Sequence, residues 1–203
     1  MKPWVVLLAA ALGASAQVAQ PDPPNRARTQ SPEGIVDTLR LQPGMTVADI
    51  GTGSGFMLPY LSKAVGRTGV VFAEDSQPEL LERARQRIAA EKLTNVTLIQ
   101  GTDYDPKLPE GKFIDAILLL GVYHHLDSYQ ALRAMTRWLR FGGPLVIVED
   151  YKAESPAGQT QERDEVAHDV GRKLGIFYEM TSHIDQLNGK QYALIFERVL
   201  GVH

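Results

Sequence analysis

Residues 49–55 read Asp49-Ile50-Gly51-Thr52-Gly53-Ser54-Gly55, a D-x-G-x-G-x-G run. Glycines at this spacing permit a tight turn and let a ligand come close to the backbone. The helix expected after them offers free N–H groups at its start. The last glycine of the dinucleotide fingerprint G-x-G-x-x-G would stand where the chain has Phe56, so a pyrophosphate is not the favoured guest. An acid directly before the glycines repels phosphate and suits a cationic amine. Asp75 lies 20 residues after Gly55 at the end of the next expected strand, where a carboxylate can take both hydroxyls of a ribose. Its neighbour Glu74 has the same chemistry, and periodicity alone does not choose between them. Taken singly, the glycines fit a plain strand-to-helix turn and the acid fits a helix cap. Together they point to a nucleoside ligand without a pyrophosphate.

A second constellation is Tyr123-His124-His125, at the end of an expected fourth strand, where open α/β sheets bind ligands. His124 or His125 can serve as a general base, because imidazole titrates near neutrality. Tyr123 can wall a channel or orient an acceptor. The plainer alternative makes one histidine a helix cap and leaves the other packed or solvated. A metal site on this pair is not expected, since adjacent side chains diverge and no third ligand is placed by sequence. Glu149, Asp150, Tyr151 and Glu154 sit on the same rim and, if functional, favour an amine or hydroxyl acceptor. His168 and His183 read as surface residues. No G-x-S-x-G elbow supplies a hydrolase nucleophile.

The elements that would position these groups follow from periodicity. The 203 residues suffice for one sizeable core. A formal charge of -3 and the absence of cysteine argue against phosphate-backbone binding and exclude disulfide scaffolds and thiol chemistry. Basic residues at 83–92 alternate with Glu82 and Glu91 and form a solvated face. Strands are expected at 45–50, 69–74, 95–100, 113–120 and 145–148. They alternate with helices at 56–65, 77–91 and 128–139, the second opened by the S-x-x-E capping box Ser76 to Glu79. A helix with Pro32 in its first turn and Ser31 as its cap precedes them. Five strands alternating with helices specify one doubly wound α/β domain. A helix at 162–174 and two late strands at 176–181 and 192–199 suggest an antiparallel finish on the sheet edge.

The first residues form a separate segment. Lys2 gives a positive start, residues 4–12 are apolar, and Ala14-Ser15-Ala16 matches the small-x-small cleavage pattern. Residues 1–16 therefore read as a secretory signal peptide, too short for a comfortable membrane span. This predicts export, to a periplasm or the cell exterior. Residues 17–30, with three prolines, read as a linker or extended arm, and residues 31–203 as the catalytic domain.

At this point the sequence resembles the class I S-adenosylmethionine-dependent methyltransferases, the seven-stranded Rossmann-like family, over about residues 31–199. VADIGTGSG resembles the family's first motif, which implies Asp49 near the methionine ammonium and Gly51 and Gly53 lining the cofactor. In VVFAEDSQPELL the resemblance favours Asp75 over Glu74 for the ribose. GTDYD at 101–105 resembles the segment whose acid bonds the adenine amino group, with Thr102 in the usual place of the acid and Asp103 one place later. LLLGVYHH at 118–125 matches the end of strand four and its loop. The resemblance implies a mostly parallel seven-stranded sheet with an antiparallel final strand. It implies S-adenosyl-L-methionine as cofactor, bound by Asp49, Gly51, Thr52, Gly53, Gly55, Asp75, Ser76, Asp103, Tyr104 and Leu120. Tyr123, His124 and His125 stand as the catalytic candidates. With no room for a separate substrate domain, the acceptor is expected to be a small molecule, held by the 17–40 segment, the loop after strand four and a loop at 151–161, with no nucleic-acid partner. Because the cofactor is made in the cytosol, a cytoplasmic enzyme is the alternative to export. A non-enzymatic binding module and a NAD-dependent oxidoreductase are the alternatives to methyl transfer.

Overall fold

Five of the seven strands are apolar enough to be buried on both faces, and that dictates a central sheet with helices on either side. The computed structural model describes residues 25–126, 129–185 and 187–199; the expected leader lies outside them. The strands are β1 (Thr46–Ile50), β2 (Val70–Asp75), β3 (Val96–Gln100), β4 (Ala116–Leu120), β5 (Pro144–Asp150), β6 (Tyr178–Ile184) and β7 (Gln191–Arg198). They form one sheet in the order β3-β2-β1-β4-β5-β7-β6. β3, β2, β1, β4 and β5 run parallel, while β7 pairs antiparallel with both β5 and β6. The two late strands are thus a hairpin, as expected. The last strand nevertheless lies inside the sheet rather than at its edge, which falls to β6. The reason is legible in burial: residues 191–196 of β7 are buried, whereas β6 is exposed along nearly its whole length.

The helices are α1 (Arg26–Gln30), α2 (Pro32–Thr38), α3 (Leu58–Val65), α4 (Pro78–Glu91), α5 (Tyr129–Thr136) and α6 (Pro156–Leu174). One core layer joins Val47, Val71, Leu118 and Val146 to Ile35 of α2, Leu58 and Leu61 of α3 and Ala84 of α4. The other joins Ile117, Leu119, Leu145 and Ile147 to Leu132 and Met135 of α5 and Val170 and Leu174 of α6. Burying one such Leu or Ile side chain contributes about 1.5–3 kcal/mol.

Several local expectations are corrected. Residues 26–30, expected within an extended arm, are helical, and Arg26 covers the Phe56 ring at 4.2 Å. Ser31 has φ 42° and makes no side-chain cap. The Ser76–Glu79 capping box does not form. Gln77 is the N-cap of α4, and its N–H donates to Asp75 Oδ1 at 2.9 Å. β4 starts at Ala116 rather than 113, because Ile114 instead bridges to Leu139 and its N–H donates to the Trp138 carbonyl. The same bridge ends α5 at Thr136. α6 begins at Pro156, where the Ser155 hydroxyl accepts from the Gly158 N–H at 3.2 Å, so the expected 151–161 loop shrinks to five residues, 151–155.

Candidate cofactor cleft and acceptor rim

The glycine run connects β1 to α3 at the carboxyl ends of the parallel strands. Sheet order reverses between β1 and β4, and open α/β sheets place their ligand crevice at such a switch point. The loop is held against β2 by its own backbone. Thr52 N donates to the Glu74 carbonyl at 2.7 Å, and Gly53 N donates to Asp75 Oδ2 at 2.9 Å. Gly51 and Gly53 both have positive φ, 67° and 59°. A Cβ on Gly51 would stand 2.5 Å from Val122, in the stretch after β4, whereas a Cβ on Gly53 would meet no atom within 4 Å. Gly51 thus lets the two loops close on each other. Gly53 leaves open the space that a bound molecule would fill.

That space is a cleft of about 380 Å³. Its walls are Gly51 and Gly53 from the loop, Glu74, Asp75, Ser76 and Gln77 from the end of β2, Thr102 and Asp103 after β3, and Gly121, Val122, His125 and Leu126 after β4; Ile50, Leu80 and Met135 close it. Its charged lining is three carboxylates, with no Lys or Arg. Such a wall favours a cation and opposes phosphate. Asp75 uses one oxygen on Gly53 N and the other on Gln77 N. Each oxygen keeps a further lone pair for a ligand hydroxyl. Glu74 is buried, and burial pushes its carboxyl up to about 8. The Gly51 N–H opposes that shift, and the charges of Asp75, Asp49 and Asp105 add to it.

The site residues expected from the sequence divide into three groups. Gly51, Gly53, Asp75, Ser76, Asp103 and His125 line the cleft together. Asp49, Thr52, Gly55 and Leu120 lie beneath or beside it. Asp49 is buried, accepts the Thr52 hydroxyl at 2.6 Å, and is raised to about 6 mainly by desolvation. A Cβ on Gly55 would stand 3.3 Å from Ala84 of α4, and Leu120 packs on the α3 side of the sheet. Tyr104 belongs to this second group too, exposed outside the lining. Tyr123 and His124 make up the third group. The buried Tyr123 hydroxyl donates to Asp169 Oδ2 at 2.6 Å and accepts from Lys173 Nζ at 3.1 Å, so it anchors α6 and does not wall the cleft. Desolvation, with the hydrogen bond to Asp169 and that carboxylate's charge, pushes the phenol up. Lys173, ahead of Tyr123, pulls Asp169 down to about 2.

Sequence reasoning missed Gly121, Val122, Leu126, Met135, Gln77 and Leu80. They reach the cleft through turns after β4 and β2 and along α4 and α5, where apolar spacing marks a buried face and not a ligand. Glu74 was visible only as a rival of Asp75, yet both line the cleft. Glu149, at the end of β5, is 7% exposed and accepts from Tyr123 N at 2.7 Å. Its other oxygen lies 2.7 Å from His124 Nδ1. The two histidine rings touch, with centroids 3.9 Å apart and planes tilted by 43°. Farther along the same rim, a polar cavity of about 640 Å³ lies between Thr29 and Gln30 of α1, residues 150–154 and the start of β7. Among the described residues no cluster of three His, Cys, Asp or Glu side chains is arranged to hold a metal, and no helix is long and apolar enough to cross a membrane.

A sequence family described as a methyltransferase domain matches residues 47–143. A demethylmenaquinone methyltransferase from Shouchella clausii is 29% identical over 164 residues, covering 79% of this chain and 63% of that protein. A protein-L-isoaspartate O-methyltransferase from Ignicoccus hospitalis is 32% identical over 113 residues, covering 56% of this chain and 51% of the relative. The chain thus spans about half the length of the curated relatives it matches. Among solved structures, a SAM-dependent methyltransferase from Aquifex aeolicus superposes with a TM-score of 0.73 at 26% identity, covering 88% of this chain and 95% of that one.

Proposed function

We propose, from the premise that the chain belongs to the class I S-adenosylmethionine-dependent methyltransferase family, that it transfers a methyl group from S-adenosylmethionine to a small-molecule acceptor. The observation that carries this reading is the cleft at the switch point, walled by Glu74, Asp75 and Asp103 without Lys or Arg. It suits a nucleoside that bears a sulfonium and an ammonium and has no phosphate. The open space over Gly53 fits a ligand lying along the loop backbone.

In this reading Asp75 takes the ribose hydroxyls, and Thr102 and Asp103 edge the adenine. Gly51 and Gly53 present backbone to the amino-acid part, while Val122, His125 and Leu126 close the acceptor side. The sulfonium supplies an already activated methyl group. The protein's work is therefore to align the acceptor and exclude water. The rim cavity bounded by α1, residues 150–154 and the start of β7 gives an acceptor of modest size a place beside the cleft. A small acceptor also accords with a chain whose described residues form one sheet and its flanking helices, and with the exclusion of nucleic acid expected from the mild negative charge. Export through the leader at 1–16 belongs to the same proposal.

Calorimetric titration of the full chain with S-adenosylmethionine, and separately with its demethylated product, tests the reading. Micromolar binding of both is the expected result. A folded chain that binds neither, or that binds NAD instead, refutes it.

A further inference from the structure

We infer that Glu149 is a positioning residue that fixes His124 as a general base, and that the acceptor is a hydroxyl compound which gives up its proton as it is methylated. The inference rests on the methyltransferase reading above and deepens it. Glu149 is buried at the end of β5, and both of its oxygens are engaged. Oε1 accepts the Tyr123 backbone N–H at 2.7 Å, and Oε2 lies 2.7 Å from His124 Nδ1. A carboxylate has only acceptors to offer, so Nδ1 must carry the hydrogen, and in the neutral imidazole Nε2 is left with its lone pair. Among the described residues Nε2 has no hydrogen-bond partner. The His124 side chain is 42% exposed and touches the ring of His125, which lines the cofactor cleft. The free nitrogen therefore belongs to a partly exposed ring one imidazole away from the cleft wall.

A buried carboxylate that orients an imidazole at a ligand rim is the arrangement that general-base catalysis requires. The step it supports balances as follows. A lone pair on the acceptor oxygen forms the bond to the methyl carbon, and the methyl–sulfur bond breaks with its electron pair left on sulfur. The hydroxyl proton passes to His124 Nε2. The positive charge lost at sulfur reappears on the imidazolium, where Glu149 faces it. An amine acceptor, which attacks as the neutral base, would not need this pair.

The decisive variant is Glu149→Gln. Because Tyr123 N–H holds Oε1, the glutamine keeps its carbonyl there and turns its NH₂ toward Nδ1. His124 must then accept at Nδ1 and carry its hydrogen on Nε2. Two-bond ¹H–¹⁵N spectra of the full chain should show the Nδ1–H tautomer for His124 in the wild type and the Nε2–H tautomer in the variant. Methyl transfer to a catechol probe should fall about 10²–10⁴-fold, with affinity for S-adenosylmethionine unchanged. His124→Asn, which keeps a donor toward Glu149 and removes the base, should lose transfer equally and guards against misfolding of the first variant. An Nε2–H tautomer in the wild type, undiminished transfer in either variant, or transfer to n-propylamine but not to catechol overturns the inference. Failure of the wild type to bind the sulfonium nucleoside would instead refute the methyltransferase reading itself.

Discussion

The two halves of the sheet treat their carboxylates differently. Around β1 and β2, acids are held by backbone amides and a hydroxyl: Asp75 by Gly53 N and Gln77 N, Glu74 by Gly51 N, Asp49 by Thr52. Around β5, α6 and β6, they face cationic or ionisable side chains: Glu149 meets His124, Asp169 meets Lys173 and Arg172, and Asp185 meets Arg163. In the first half no Lys or Arg stands at the cleft wall: Asp75 faces the cleft, and Glu74, raised to about 8, is a carboxyl whose ionised form a cationic ligand would favour. In the second the carboxylates are engaged locally, Asp169 and Asp185 by Lys and Arg and Glu149 by an imidazole N–H, and they hold α6 and the acceptor rim in place.

The largest expected effect of breaking this contrast is at Asp75. Asp75→Ala removes a charged acceptor from the ribose and from both loop amides, and should weaken S-adenosylmethionine binding about 10–100-fold, at the 1.5–3 kcal/mol level of a charged hydrogen bond. Unchanged affinity by calorimetry would show that Glu74 carries the role.

Asp169→Ala is the counterpart in the other half. It leaves Lys173 and the buried Tyr123 hydroxyl without their partner and should cost about 1–2 kcal/mol of stability. Chemical denaturation measures that loss, and cofactor affinity should stay put. A large drop in affinity would mean that the halves are not separate.

Glu74→Gln tests the raised carboxyl through pH. The folded carboxyl is raised from 4.5 to about 8, so the stability present below pH 4.5 is lost as pH rises through 8. Wild-type denaturation midpoints should fall between pH 5 and 9, and those of the variant should stay flatter. Because a cation favours the ionised carboxylate, wild-type affinity should rise over the upper part of that window with a proton released on binding. Titrations in buffers of different ionisation enthalpy would show it, and an identical proton count in the variant would remove Glu74 from the site.

The smallest effect is expected at Arg85, which pairs with Glu82 on the solvated face of α4 with both side chains more than half exposed. Arg85→Ala should change stability by at most about 0.5 kcal/mol. A larger loss would show that ion pairing carries weight in the first half as well.

Much of the site's first half was readable in order along the chain. Alternating apolar runs, the glycine spacing and strand-end acids are short-range patterns, and they placed β1 to β5, the loop and Asp75 together. The second half was not readable in this way. Tyr123 and Asp169 are 46 residues apart, and His124 and Glu149 are 25 apart, separations over which no periodicity connects them. His124 could be named as a base candidate, yet its tautomer and partner depend on which rim carboxylate turns inward.

By itself, then, the amino-acid order determined the strand–helix alternation, the turn that only glycines can make and the acidic wall of the cleft, because each depends on neighbours within one or two elements. Tertiary structure alone decided that β7 enters the sheet beside β5, that Tyr123 turns its hydroxyl to α6, and that Glu149 faces His124. Those outcomes depend on which distant surfaces must be buried together and on where each buried polar group can find a partner once they are.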